Sequence, residues 1–337
     1  MTYASIADFE GALASLAAPD AAAIAAAEAR QAQLTKPPGS LARLEDIAVF
    51  FAGWQGRERP CIENGRVVVF AGNHGVAARG VSAFPADVTA QMVANFAAGG
   101  AAINALADAA GLELQVVPIA LDRPTEDFTH APAMSEAECL EALSIGAAVV
   151  TPELDLLAVG EMGIGNSTAA AALCARSFGG RARSWAGPGT GLAPAGMERK
   201  IAIIESALAF HANGPGSAFE TLRRLGGREI VAIAGAVLAA RRQRIPVLLD
   251  GFISSSALAP LAATNPAITA HCLAGHCSTE PGHRRLLDRL NLVPLLQLGM
   301  RLGEGSGAAV AAQVIRSALA AHARMATFAE AGIAGAR

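Results

Sequence analysis

The chain has 337 residues, 53% hydrophobic and 16% charged, with a formal net charge of −3. Such a composition fills a sizeable core and excludes a disordered chain, and it gives no basic footprint for nucleic acid. The most apolar stretch, IVAIAGAVLAA at 230–240, is too short to span a bilayer. The N-terminus lacks the basic start of a secretory leader, and five scattered cysteines read as reduced thiols, so the expected compartment is the cytoplasm.

Residues 5–33 are alanine-rich and predicted helical. TKPPGS at 35–40 breaks the helix, because two prolines remove donors and restrict the residue before them. Helical spacing resumes over 41–56, where Leu41, Leu44, Ile47, Ala48 and Phe51 recur every three or four positions. The run Val67–Phe70 is short, β-branched and apolar on both parities, which is the pattern of a parallel strand buried on both faces. QVVPIA (115–120), LLAVGEMG (156–163), RSWAGPG (183–189) and IPVLLDGFISSS (245–256) follow the same grammar and are read as further strands. Helices are predicted over 86–109, 136–149, 167–178, 195–212 and 228–243. Strand–loop–helix repeated in this way predicts an α/β fold with a parallel sheet. The ends, 1–60 and 306–337, read as wholly helical, so a small helical domain from both ends is expected beside an α/β domain over 61–305.

In a parallel sheet the ligand lies beyond the carboxyl ends of the strands, so the loops after each strand hold the information. GEMGIGNSTAAAAL at 160–173 places Glu161 and Met162 before a turn with Gly163 and Gly165, then Asn166, Ser167 and Thr168 at a helix start. Such a turn suits a phosphate or a carboxylate, and equally an ordinary capped helix. It is neither a P-loop, for want of a lysine, nor a G-x-G-x-x-G turn. AGPGTGL at 186–192 is a second glycine loop, with Gly189 and Thr190, and Lys200 follows on a predicted helix. That lysine reads as a phosphate partner or as a solvated helix side chain. Asp250 at a strand end reads as an acceptor for a ribose hydroxyl or as a cap.

His271, Cys272, His276, Cys277 and His283 cluster in sequence, yet their spacing does not form two ligand pairs of a zinc site, and no metal is expected. Ser278 in the same turn is a candidate anion donor. His74 reads as a base or as a positioned structural residue. Phe84 could wall a flat ligand, with Gln91 nearby. Glu304, between Gly303 and Gly305 before a helix, reads as a general base or as a carboxylate favoured by the helix dipole.

Taken together and in order, KPPGSLARLEDIA, GNHGVAARGVSAFPADVTAQMV, GGAAINALA, GEMGIGNSTAAAAL, GPGTGL with a downstream lysine, LLDGFISS, GHCSTEPGH and LGMRLGEGSGAA resemble the nicotinate-nucleotide:dimethylbenzimidazole phosphoribosyltransferase family. The motifs cover about residues 35–312. The resemblance implies transfer of the phosphoribosyl group of nicotinate mononucleotide to 5,6-dimethylbenzimidazole, with a Rossmann-like large domain, a homodimer and no cofactor. It implies Glu304 as general base and Glu161 as a second active-site glutamate. Gly163, Gly165, Asn166, Lys200 and Ser278, with the neighbouring Ser167, Gly189 and Thr190, would hold the nucleotide, with Asp250 near them. Phe84, Gln91, Met162 and Leu302 would line the base pocket. Two departures stand out. Relatives often carry arginine in the glycine loop where this chain has Pro188, so backbone N–H groups are expected to carry more of the contact there. Phe84 stands where tyrosine or tryptophan is also expected, which would retune base selectivity. Competing readings are a transferase for another base, a non-catalytic nucleotide-binding protein and, more weakly, an NAD-dependent oxidoreductase.

Overall fold

A computed structural model of the chain describes residues 2–214 and 216–334. Six parallel strands form one sheet: β1 (Gly65–Ala71), β2 (Glu113–Pro118), β3 (Leu156–Met162), β4 (Val247–Leu249), β5 (Cys272–His276) and β6 (Pro294–Leu296), in the order β2-β1-β3-β4-β5-β6. The order reverses between β1 and β3, which makes the crevice beyond their carboxyl ends the natural ligand site. Side chains alternate between the two faces. Val68, Phe70, Leu157, Val159, Val247 and Leu249 enter one apolar cluster, and Val67, Val69, Leu156, Ala158 and Leu248 enter the other. Both faces are therefore covered by helices, as the unbroken apolar runs require.

Several boundaries differ from the sequence reading. The segment 86–109 forms two helices, Val88–Ala97 and Ala102–Ala110, parted at Gly99, whose φ is +77°. The alanine-rich 5–33 splits into Ile6–Ala14 and Ala21–Gln33 around Pro19. RSWAGPG is not a strand: Ala182–Ser184 is a 3₁₀ turn, and buried Trp185 donates its Nε1–H to Gly179 O at 2.9 Å. Its apolar content serves packing, not a ladder. The sequence reading missed β5 and β6, which are five and three residues long and depend on neighbouring strands for pairing.

The chain ends meet through Arg30, whose guanidinium donates to the carbonyls of His322 (2.9 Å), Ala323 (3.1 Å) and Met325 (3.0 Å) at the end of the helix Ser306–Arg324. The first half of that helix lies on the sheet, where Ala308, Ala309, Ala311 and Ala312 pack with Val67, Val69 and Leu248. On the other face, Phe9 of the first helix meets Phe219 with ring centroids 6.1 Å apart. Among the described residues no helix is long and apolar enough to cross a membrane.

Candidate active site

A cleft beyond the carboxyl ends of the strands encloses about 790 Å³ of empty space, part of it open to solvent. The turn after β3 forms one wall with Glu161, Met162, Gly163, Gly165, Asn166 and Ser167. Gly189 and Thr190 face it from the second glycine loop, Ser278 from the turn after β5, and Leu302 and Gly303 from the loop before the last long helix. Ten of the expected site residues thus converge from four loops far apart in sequence.

Glu304 lies just behind this lining. Its position depends on a close backbone approach: a Cβ on Gly160, in the middle of β3, would lie 2.3 Å from the Gly305 nitrogen. Only glycine lets the Glu304–Gly305 backbone settle on the strand, where the Glu304 N–H donates to Glu161 O at 3.3 Å. Glu304 itself takes a left-handed conformation, φ +62°. Outside glycine that costs about 1–2 kcal/mol, a strain of the kind concentrated at functional sites. The Glu304 carboxylate is buried and its Oε2 has no hydrogen-bond partner. Burial raises its proton affinity above that of an ordinary carboxylate.

Glu161 is also buried, and its Oε2 accepts from Asn166 Nδ2. Its pKa is raised well above the usual value, first by burial and then by the carboxylates of Glu229, Asp250 and Glu304, with Asn166 opposing. A Cβ on Gly303 would lie 2.7 Å from Glu161 Oε1, so a bare backbone is needed where the two loops meet. The turn is anchored from outside by Thr89, whose Oγ1 accepts the Ile164 N–H at 3.1 Å.

Lys200 is fully buried. Its Nζ donates to Ser167 Oγ and to Gly187 O, both at 2.8 Å, so it braces the two glycine loops and reaches the cleft only through Ser167. Burial lowers its pKa to about 8, with Glu280 opposing. Asp250 is placed as a cap. Its oxygens accept from Gly305 N (3.1 Å) and Ala308 N (3.0 Å), which fixes the start of the Ser306–Arg324 helix and hence the Glu304 backbone. The carboxyl oxygens are taken by backbone donors, and Asp250 does not line the cleft. Burial pushes its pKa up to about 7.

Phe84 and Gln91 are exposed and do not line the cleft; Val81 and Ser82 of the same loop do. His74 is buried away from the cleft and pairs through Nε2 with Glu229 Oε1 at 2.6 Å, which makes it a structural partner of a carboxylate that the sequence reading did not single out. His283 is likewise structural, its Nδ1 accepting the Ser278 N–H at 2.9 Å.

Four lining residues with polar side chains were missed as ligand-facing groups: Ser82, His276, Glu280 and Arg301. Glu280 precedes a helix and looks like a cap in sequence, yet its Oε1 accepts the Gly189 N–H at 2.9 Å instead. Much of the Pro188 loop's backbone is therefore committed within the protein, while the N–H of Thr190, which lines the cleft, makes no bond to the described residues. Pro188 has no N–H, Gly189 N–H is taken by Glu280, and the N–H groups of Gly191 and Leu192 turn back to Pro188 O.

A doubly wound parallel sheet with a helix N-terminus, a buried lysine and two buried glutamates around its switch-point crevice defines an enzyme that handles an anionic small molecule. A family model described as a phosphoribosyltransferase matches residues 16–333. The chain is 70% identical over 332 residues to the nicotinate-nucleotide–dimethylbenzimidazole phosphoribosyltransferase of Novosphingobium aromaticivorans, covering 98% of each chain. It is 57% identical over 315 residues to the enzyme of that name from Methylorubrum extorquens, covering 93% of this chain and 92% of that one. The crystal structure of CobT from Thermus thermophilus superposes with a TM-score of 0.87 at 40% identity, covering 94% of this chain and all of that one. The chain belongs to the nicotinate-nucleotide–dimethylbenzimidazole phosphoribosyltransferase family and is a pentosyltransferase.

Proposed function

We propose that the protein transfers the phosphoribosyl group of nicotinate mononucleotide to 5,6-dimethylbenzimidazole, giving α-ribazole 5′-phosphate and nicotinate with inversion at C1′. The observation that carries this reading is the Glu304 carboxylate, buried with an unpartnered oxygen behind the cleft and held there by the Gly160 contact and the Asp250 cap.

The leaving ring nitrogen of the mononucleotide is already cationic. When its bond to C1′ breaks, the electron pair stays on nicotinate, which departs neutral at nitrogen without an acid. One imidazole nitrogen of the base forms the new bond from the opposite face. The other N–H becomes acidic, and Glu304 takes that proton, a step typically worth about 10²–10⁴-fold. Orientation of two rings about one ribose supplies much of the rest. Glu161 faces the positive charge that develops at C1′ or supports proton removal by Glu304. The 5′-phosphate sits against the N-terminus of the helix Asn166–Phe178, with Ser167, polarised by Lys200, and Ser278 beside it. Met162 and Leu302 wall the flat base, with Val81 and Ser82 beside them. The chemistry asks for no cofactor.

The exposed apolar side chains Phe84, Leu298 and Leu302, on the two loops that edge the cleft, favour a homodimer that covers them. The helical ends, 1–60 and 306–337, would act as a small domain beside the catalytic 61–305, with the start of the last long helix shared with the sheet. The test is direct. Protein, nicotinate mononucleotide and dimethylbenzimidazole are mixed, and nicotinate release and α-ribazole phosphate are followed by chromatography. Release without base would point to a hydrolase. Turnover with adenine or a phenol alone would assign a different acceptor.

A further inference from the structure

The proposed substrate carries two oxyanions, a phosphate and a nicotinate carboxylate, while the cleft that would hold it is lined by two carboxylates, Glu161 and Glu280. Among the described lining residues Arg301 is the one lysine or arginine. Lys200 stands behind Ser167 and Gly187 with its ammonium already bonded to both. The glycine loop offsets little of this, because Pro188 has no N–H and Gly189 N–H is held by Glu280, which leaves the Thr190 N–H, a neutral donor. Arg301 points into this gap. Its Nη1 donates to Gly189 O at 3.0 Å, and the loop that carries it is tied to the Ser278–Glu280 turn by the bond from Thr279 N to Met300 O at 3.2 Å. Its charge also acts on the Glu280 carboxylate, but the guanidinium makes no further hydrogen bond among the described residues, so the rest of the fork can take a bidentate oxyanion.

We propose that Arg301 binds an oxyanion of the mononucleotide directly, as the cation that the Pro188 loop lacks. Resting on the phosphoribosyl-transfer reading, this makes Arg301 a substrate-binding residue and leaves Lys200 to act through Ser167. The bond to Gly189 O keeps the guanidinium turned toward the loop, so binding the substrate adds contacts without a large rotation.

The test compares wild type with Arg301→Met and Arg301→Lys, using direct binding by calorimetry and steady-state kinetics. Three donors are used: nicotinate mononucleotide, nicotinate riboside without the phosphate, and nicotinamide mononucleotide without the carboxylate. For Arg301→Met, Kd and KM for nicotinate mononucleotide should rise about 10–100-fold, in line with a lost charged hydrogen bond, while KM for the base stays within about twofold. The penalty should vanish for whichever truncated donor lacks the group that Arg301 holds, which identifies phosphate or carboxylate. Arg301→Lys keeps the charge without the fork and should fall between. An equal penalty for all three donors, or an effect confined to kcat or to KM for the base, would make Arg301 a loop latch and overturn the assignment. Failure of the wild type itself to release nicotinate would instead sink the transfer reading.

Discussion

Lys200→Met isolates the buried charge on which the two glycine loops hang. Burial holds the lysine at about 8 against 10.5 for an exposed one. At roughly 1.36 kcal/mol per unit, keeping the charge inside the fold costs about 3 kcal/mol at neutral pH. Because the folded value lies below the unfolded one, the unfolded chain binds the extra proton between those two pH values. Stability from this group therefore rises with pH across that window and is constant below it. Wild type should gain about 2 kcal/mol relative to Lys200→Met between about pH 7.5 and about pH 10, measured by urea unfolding of both proteins. At neutral pH the two stabilities should lie close together. Methionine removes the charge cost but leaves Gly187 O and Ser167 Oγ without their donor, a loss of about 1–3 kcal/mol. In the same preparation, KM for nicotinate mononucleotide should rise more than KM for the base. A stability gap that does not change with pH would refute the buried-ammonium account. An effect on the base alone would refute the role in nucleotide binding.

Glu304→Gln preserves shape and the φ +62° backbone while removing the base, so kcat should fall about 10²–10⁴-fold with Tm nearly unchanged. The wild-type rate should rise with pH through an apparent pKa above the usual carboxylate range, since burial raises Glu304 and the base must be ionised to act. That limb should be missing from the variant. Near-normal kcat would remove Glu304 from the mechanism. Far from the cleft, Gly146→Ala places a Cβ 1.7 Å from Ala232 O, where the helices Glu136–Ala148 and Arg228–Arg242 touch. Urea unfolding should show a loss of at least about 1–3 kcal/mol, with kcat per folded molecule intact. Unchanged stability would show that the two helices can separate freely there.

The layered α/β plan was legible because both-face burial leaves an apolar strand with no parity, as in Val67–Phe70, and because glycine and polar residues mark the strand ends. The glycine loops and both glutamates were legible as chemistry, since residue type and order carry that information locally. The short strands β5 and β6 were not, because their pairing is supplied by β4 and by each other rather than by their own pattern. RSWAGPG misled for the converse reason: apolar residues fill a core in a turn as well as in a strand.

What the sequence alone could not decide is how each polar group is used, because a hydrogen bond is settled by which partner is nearest in space. Asp250 is drawn to the N–H groups of Gly305 and Ala308, 55 and 58 residues away, and so caps a helix rather than meeting a ribose. Gly189 N–H is taken by Glu280, Lys200 lies buried beneath Ser167, and Arg301 closes the gap left at Pro188. The sequence by itself determined the fold class and the family. The tertiary structure decided which polar groups keep an unpartnered oxygen or an unused donor near the cleft.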